Sequence, residues 1–156
     1  FSPKPEHFST FFYPATGILY KNHRIIIEAC KALGKDANKD YSVIFTLRED
    51  ELDLELTKAI REFDIPISFI GTVKRETIFE YYSRSVLLFP SYIESYGLPL
   101  EEARLAGDII FASDRAFSRE ILQGYNNAYF FNPFSASELA HLMRLSIERN
   151  IKYILI

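Results

Sequence analysis

Residues 89–103 contain the densest group of side chains that could do chemistry: Glu94 and Glu102, with Gly97 between them. An ionised carboxylate is purely a hydrogen-bond acceptor, so two of them can grip the hydroxyls of a neutral diol. Gly97 allows a ligand to approach the backbone closely. Pro99 suits the first turn of a helix, and the free N–H groups of such a turn attract anions such as a diphosphate.

Both glutamates also have an ordinary explanation. Acidic residues are common in the first turns of helices, where they face the positive end of the dipole, and Glu94 could be a solvated loop charge. Glu101 lies about 100° around the predicted helix from Glu102, so only one of these neighbours is expected to face Glu94. Spacing alone leaves both interpretations open.

A second group of polar residues, Lys21, His23 and Arg24, opens the first predicted helix without an adjacent acid. Cations at a helix N-terminus oppose the dipole by about 0.3–1 kcal/mol each, and a bound diphosphate would reverse that sign. Lys21 is the predicted phosphate contact because it lies nearest the preceding loop. Basic side chains that are merely exposed remain the alternative.

The elements that must position these groups alternate along the chain. Apolar runs predict strands at 8–13, 41–47, 67–70, 86–89, 108–112 and 128–131. Helical spacing predicts helices at 22–33, 51–63, 76–84, 98–106, 117–122 and 135–148. Such alternation indicates a doubly wound, Rossmann-like α/β domain with helices on both faces of a parallel sheet. Ligands bind at the carboxyl ends of such strands, which adds Gly71 and Val73 as weaker candidates.

Composition excludes several classes of protein. The chain is 48% apolar and 25% charged, with a net charge of −3, which is typical of a globular domain. It has no basic cluster typical of nucleic-acid binding. The single Cys30 excludes an internal disulfide. His7, His23 and His141 lack metal-ligand spacing, and no nucleophilic triad or dinucleotide-binding glycine pattern is present.

Residues 69–133 resemble the donor domain of retaining glycosyltransferases of family 4, which have the two-domain GT-B fold. In that family an aliphatic strand leads to Pro-Ser, a glutamate, an aromatic-Gly-Leu-Pro turn and a second glutamate eight residues after the first. The matching residues here are Pro90, Ser91, Glu94, Tyr96, Gly97, Leu98, Pro99 and Glu102. Upstream, Lys21 resembles the lysine that opens the family's first helix.

The resemblance implies a role for each matching position. Glu94 would hold hydroxyls of the donor sugar, and Glu102 those of the ribose. Lys21 would neutralise the diphosphate leaving group. The turn from Tyr96 through Gly97 and Leu98 to Pro99 would meet the sugar or diphosphate, and Gly71 to Val73 the base. Glu120 also falls where the family has a similar residue.

One position departs from the family pattern. The family commonly has an arginine six residues before the lysine, where this chain has Ala15. One positive charge expected at the diphosphate is therefore missing. Either Arg24 or His23 replaces it, or donor binding is weaker, or the protein has drifted from catalysis.

The resemblance implies a transferase that moves a sugar from a nucleoside diphosphate sugar to a glycan or lipid-linked acceptor with retention of configuration. Residues 1–156 would form a single donor domain, entered through a proline-rich linker and separated from an N-terminal acceptor domain. Alone it would bind a nucleotide weakly and transfer nothing. The apolar tail, residues 151–156, would either end a core helix or pack on the absent chain.

The resemblance further implies no metal or other cofactor, no nucleic-acid partner, and a role in bacterial polysaccharide or glycolipid assembly. It implies a cytoplasmic location, with peripheral association at the inner face of the membrane through the absent domain. A non-catalytic nucleotide- or sugar-binding module and a GT-B-type sugar epimerase or phosphorylase are the alternatives. The base and sugar of the donor, the acceptor and the oligomeric state stay open.

Overall fold

The computed structural model describes residues 3–34 and 40–153. Its strands are β1 (Thr10–Tyr13), β2 (Ser42–Phe45), β3 (Ile67–Phe69), β4 (Val86–Phe89), β5 (Ile110–Ser113) and β6 (Ala128–Phe131). Its α-helices are α1 (His23–Leu33), α2 (Leu54–Glu62), α3 (Arg75–Tyr82), α4 (Leu98–Leu105), α5 (Ala116–Ile121) and α6 (Ala136–Ile147). Short 3-10 helices cover Pro5–Ser9, Leu19–Lys21 and Glu49–Glu51.

Within the described residues the strands form one parallel sheet in the order β3-β2-β1-β4-β5-β6. The chain winds outward from β1 to β3, then crosses back and winds from β4 to β6 on the other side. The predicted α/β fold is therefore confirmed. The strand order reverses between β1 and β4, and this switch point leaves a crevice at their carboxyl ends.

The burial of each strand follows from its place in the sheet. The central strands β4 and β5 are buried at every residue, as expected for parallel strands covered on both faces. The edge strand β3 has no fully buried residue. Helix α1 packs against α2 and α6, whereas α4 packs against α3 and α5, so helices form two separate groups about the sheet.

The N-terminal segment differs from its predicted structure. The predicted first strand begins at Phe8, but Pro5–Ser9 is a 3-10 helix and β1 begins at Thr10. The Thr10 hydroxyl donates to the Glu6 carbonyl, and His7 is buried, with its ring 3.1 Å from Asp108. The contact of His7 with Asp108, just before β5, attaches this segment to the amino end of the sheet. Residues from Pro5 onward are therefore not a free linker.

The C-terminal end packs on the same domain. Helix α6 ends at Ile147, so the tail is not a last helical turn. Ile151 joins the core, and the Tyr153 hydroxyl donates to the Gly107 carbonyl. The remaining predicted tail residues, 154–156, lie outside the described residues.

Cys30 lies on the buried face of α1, next to Tyr41. Burial raises the pKa of its thiol to about 12. A thiol in that state is a small apolar side chain that contributes to packing and has almost no thiolate at neutral pH.

Candidate functional site

The predicted site residues Lys21 and Glu94 meet at the switch point. Lys21 follows β1 and Glu94 follows β4, and these strands are hydrogen-bonded neighbours. The Lys21 Nζ lies 2.9 Å from Glu94 Oε2 and 3.2 Å from Oε1. Their side chains are 19% and 13% exposed, so the pair is largely desolvated yet still reachable from solvent. A lysine and a carboxylate held this way offer a cation and hydrogen-bond acceptors to one ligand.

The lysine is held by its backbone. The hydroxyl of Tyr13, at the end of β1, donates to the Lys21 carbonyl at 2.7 Å. The next carbonyl upstream, that of Tyr20, accepts from the Tyr92 N–H at 3.2 Å, which ties this segment to the loop after β4. These bonds fix Lys21 relative to the loop that contains Glu94, so the approach of the two side chains is built into the backbone.

Asn22 joins three loops at the base of the site. Its backbone is left-handed, with φ of 66°, a conformation that asparagine adopts more readily than most residues. Its buried side-chain amide donates to the Pro90 carbonyl at 3.0 Å and to the Pro133 carbonyl at 2.8 Å. The segments after β1, β4 and β6 are thereby fastened together beneath Lys21.

Gly97 ends the loop and caps α4. Its φ of +60° is left-handed, and an added Cβ would lie 2.7 Å from Ile121 Cδ1 and 3.8 Å from Glu94 Cγ. A side chain here would be strained and would press on α5. Leu98 and Pro99 form the first helical turn, as predicted, with Leu98 and Tyr96 exposed on the rim. The start of α4 therefore faces the same crevice as Glu94.

Glu102 lies in a second part of the site. It turns inward whereas Glu101 is exposed, but its contacts are with α3 and not with Glu94, the residue that one of the two neighbours was predicted to face. Its Oε1 accepts from the Tyr82 hydroxyl at 3.3 Å, and its Oε2 lies 2.6 Å from the Arg75 Nη2. Its contacts are therefore with α3, and its position is about 8 Å along α4 from Gly97.

Gly71 and Val73 follow the edge strand β3. The Gly71 N–H donates to the Leu47 carbonyl, and its φ of +70° marks the turn from the sheet into α3. Strand β3 lies three positions from β4, about 14 Å at the usual strand spacing. The segment is thus distant from the end of β4, which precedes Glu94, and it leads directly to Arg75, whose side chain contacts Glu102.

The two other candidate cations at the opening of α1, His23 and Arg24, have different surroundings from Lys21. His23 is buried between Tyr13 and Phe45, and burial, aided by the charge of Lys21, lowers its pKa to about 4. It is therefore neutral at pH 7. Arg24 forms a surface pair with Glu55, Nη2 to Oε2 at 3.1 Å. Acids distant in sequence, Glu94 and Glu55, pair with Lys21 and Arg24. His23 is uncharged and Arg24 is paired with Glu55, so the structure places neither as a substitute for the charge missing at Ala15.

Two further features, a metal-binding cluster and a membrane-spanning helix, are absent from the part of the chain that the structure describes. Across residues 3–34 and 40–153, no three His, Cys, Asp or Glu side chains are grouped so that they could hold a metal ion. No helix in the same residues is long and apolar enough to cross a membrane. Glu120, a weak candidate, is exposed on α5.

Sequence reasoning missed four residues that organise the site: Tyr13, Asn22, Arg75 and Tyr82. Tyr13 and Tyr82 look like core aromatics, and their hydroxyl bonds depend on contacts far along the chain. Asn22 had one usable signal, because asparagine directly before a helix often adopts a special backbone conformation. Arg75 opens α3 without any motif, so its partner in α4 could not be deduced.

The family model for group 1 glycosyl transferases matches residues 1–153, and the chain belongs to this family. No curated protein sequence matches this chain. The fold is that of the C-terminal domains of GT-B glycosyltransferases.

Solved structures support the same fold. HepE of Anabaena in complex with UDP has a TM-score of 0.75 and 19% identity, covering 91% of this chain and 40% of that one. The catalytic domain of cholesterol-α-glucosyltransferase from Helicobacter pylori has a TM-score of 0.69 and 17% identity, and the match covers 90% of this chain and 87% of that domain. Sucrose-phosphate synthase from Thermosynechococcus elongatus has a TM-score of 0.70 and 17% identity, and the match covers 94% of this chain and 42% of that one. The chain thus spans about 40% of the length of HepE.

Proposed function

We propose that this chain is the donor-binding domain of a retaining glycosyltransferase of family 4. The bond between the sugar C1 and the diphosphate oxygen breaks, and C1 bonds to an acceptor hydroxyl on the same face. The observation that supports this most directly is the Lys21–Glu94 pair at the switch point, 2.9 Å apart and beside the start of α4. HepE, a similar structure, is recorded with UDP.

Each group has a role in this proposal. Lys21 and the N–H groups at the start of α4 stabilise the negative charge that develops on the departing diphosphate, the kind of positioned electrostatics that accelerates such reactions. Glu94 accepts hydrogen bonds from the donor sugar, and Glu102 from the ribose. Gly71 and Val73 contact the base. No metal is required if the lysine and the helix start suffice.

The two domains of the intact protein bind different substrates. An N-terminal domain of the same protein binds the acceptor, and residues 1–156 alone bind a nucleotide weakly and transfer nothing. The intact protein works in the cytoplasm, on bacterial polysaccharide or glycolipid precursors, and meets the membrane through that other domain. Turnover by the isolated domain, or tight binding of DNA, would contradict this division.

The test uses the full-length protein. A thermal-shift panel of UDP-, GDP- and ADP-sugars identifies the donor, because a ligand at 100 times its dissociation constant adds about 2.7 kcal/mol of stability. Release of nucleoside diphosphate from that donor is then measured for the wild type and Glu94→Ala. We expect the variant to lose release, EDTA to leave it unchanged, and NMR of the product to show the donor's anomeric configuration.

A non-catalytic binding module is the second candidate, and Ala15 favours it. The cation that the family commonly has at this position is absent, and His23 and Arg24 do not replace it. In that case the protein would bind the nucleotide sugar and release no diphosphate with any acceptor extract. Release that depends on Glu94 excludes this candidate.

A further inference from the structure

Arg115 brings a positive charge to the carboxyl end of the sheet. It follows β5 and directly precedes α5, and its side chain is partly exposed. The neighbouring carboxylate of Asp114 pairs instead with Arg119, whose Nε lies 2.8 Å from Oδ1. Within residues 3–34 and 40–153, no other carboxylate forms an ion pair with Arg115 either, so the described part of the chain leaves its charge uncompensated.

The guanidinium of Arg115 is held in place but is not satisfied. Its Cζ lies 5.2 Å from the centre of the Phe134 ring, and a planar guanidinium packs well over an aromatic face. Its Nε is buried and donates to no atom of the described residues. The two terminal nitrogens also donate no hydrogen bond to those residues, but unlike Nε they are not buried. The terminal nitrogens are therefore the atoms that can donate to a ligand.

Arg115 lies beside the loop that contains Glu94. The Phe134 ring, which the guanidinium covers, lies 5.2 Å from the ring of Tyr92, two residues before Glu94. Strands β4 and β5 are hydrogen-bonded neighbours, about 4.8 Å apart. In the sheet order β1-β4-β5, the segments after the three strands contain Lys21, Glu94 and Arg115 in turn. Arg115 thus lies one strand beyond Glu94, on the side away from Lys21.

The order of the strands also indicates which part of a substrate meets Arg115. In the proposed function the base lies at the end of β3, the diphosphate at Lys21 and the sugar at Glu94, so the donor runs across the sheet from β3 toward β4. The end of β5 continues this line and lies on the far side of the sugar from the diphosphate. The acceptor belongs to the other domain in the same proposal, which favours the donor sugar as the ligand of Arg115.

We propose that Arg115 is a specificity-determining residue that binds a carboxylate on the donor sugar, so that the donor is a nucleoside diphosphate hexuronate. This rests on the proposed function, in which Glu94 faces the sugar. The terminal nitrogens of a guanidinium offer parallel N–H donors that match the two oxygens of a carboxylate, and such charge-assisted pairs are about twice as strong as neutral hydrogen bonds. A neutral sugar would cover the cation without pairing it, so the subsite also selects against neutral donors.

Calorimetry on the full-length protein tests this with donors that differ only at C6, a hydroxymethyl group in one and a carboxylate in the other. The pairs are UDP-glucose with UDP-glucuronate, UDP-galactose with UDP-galacturonate, GDP-mannose with GDP-mannuronate, and ADP-glucose with ADP-glucuronate. In at least one pair the wild type should bind the uronate about tenfold or more tightly, because hydrogen bonds between charged groups contribute that much. Arg115→Ala should reduce this preference to about twofold or less and change the affinity for the neutral sugar by less than about twofold. Arg115→Lys keeps the charge without the planar fork and should fall between.

Arg84→Ala is the matched control. The Arg84 guanidinium also lies over an aromatic ring, 4.4 Å from the centre of Tyr81, but it precedes β4 at the amino end of the sheet. This variant should retain the full preference for the uronate.

Three results would overturn the assignment of Arg115 and leave the proposed function intact. They are a wild type with no preference in any pair, a preference that persists in Arg115→Ala, and an equal loss of affinity for both members of a pair. A raised acceptor KM in Arg115→Ala with unchanged donor affinities would place the anion on the acceptor and would also overturn the assignment. Failure of the wild type to bind any of the eight donors overturns the proposed function as well.

Discussion

Opposite ends of the sheet each contain an acid–base pair, one half-buried and the other fully buried. At the carboxyl end, Lys21 and Glu94 are 19% and 13% exposed beside the start of α4. At the amino end, His7 and Asp108 are 2% and 0% exposed, with 3.1 Å between Nε2 and Oδ1. Burial lowers the pKa of His7 to about 4 and raises that of Asp108 well above its ordinary value, so both shifts favour an uncharged pair.

The difference shows why a pair of titratable side chains is not by itself a site. His7 and Asp108 fasten the segment before β1 to the start of β5, at the amino ends of the strands. His7 also lines a cavity of about 700 Å³ there, together with Lys4, Glu6 and Arg84. Lys21 and Glu94 sit where the strand order reverses, which is the end of a doubly wound sheet that binds ligands. Residual exposure and position in the topology separate the candidate site at Lys21 and Glu94 from the structural pair at His7 and Asp108.

The largest expected effect is at the carboxyl end. Lys21→Met in the full-length protein should lower turnover by about 100- to 1,000-fold, because it removes a positioned charge that stabilises the leaving group. Initial rates of nucleoside diphosphate release measure this. Lys58→Met, which removes an exposed lysine on α2, should leave the rate unchanged. If Lys21→Met retained a tenth or more of the activity, the contrast between the two ends would fail.

The pair at the amino end should affect stability only. Asp108→Ala removes the hydrogen-bond partner of the His7 Nε2 and the acceptor of the Ile109 N–H, and should cost about 2 kcal/mol of unfolding free energy. Urea titration measures this loss. Calorimetry below the unfolding transition should give an unchanged nucleotide affinity, and a weaker affinity there would mean that the two ends are coupled.

His23 should make stability depend on pH. The unfolded chain binds a proton as the pH falls through 6.5, whereas the folded protein resists until about 4, so stability is lost over this range. The loss from this residue at pH 5 is about 2 kcal/mol. The free energy of unfolding, measured by urea titration, should fall between pH 7.5 and pH 5.0 in both proteins, and it should fall by about 2 kcal/mol less in His23→Phe than in the wild type. Equal pH dependence in both proteins would show that the imidazole titrates normally.

The smallest effect is expected at Arg24. Its pair with Glu55 is exposed, so Arg24→Ala should change nucleotide affinity by less than about twofold. Calorimetry with the preferred nucleoside diphosphate checks this. A tenfold loss would mean that Arg24 turns to the diphosphate and supplies the charge missing at Ala15.

The periodicity of the sequence predicts all six strands and the helices between them, because burial and repeat are local properties. The order of the strands is a long-range property and was not predicted, although it determines that Lys21 and Glu94 meet. The family resemblance implied that both residues belong to one donor site, but it did not predict that their side chains contact each other. Nothing in the sequence links Arg75 to Glu102, and the aromatic run that begins at Phe8 hid a 3-10 helix whose buried histidine pairs with a residue 101 positions away.

The burial of the Cys30 thiol affects how the domain can be labelled chemically. Thiol-reactive dyes attack the thiolate, so a cysteine whose pKa is near 12 should stay unlabelled in the folded domain. Since it is the single cysteine of the chain, a second one introduced at the exposed Tyr96 could be labelled selectively. A fluorophore at that position would report directly on whether the rim of the crevice closes when a nucleotide sugar enters.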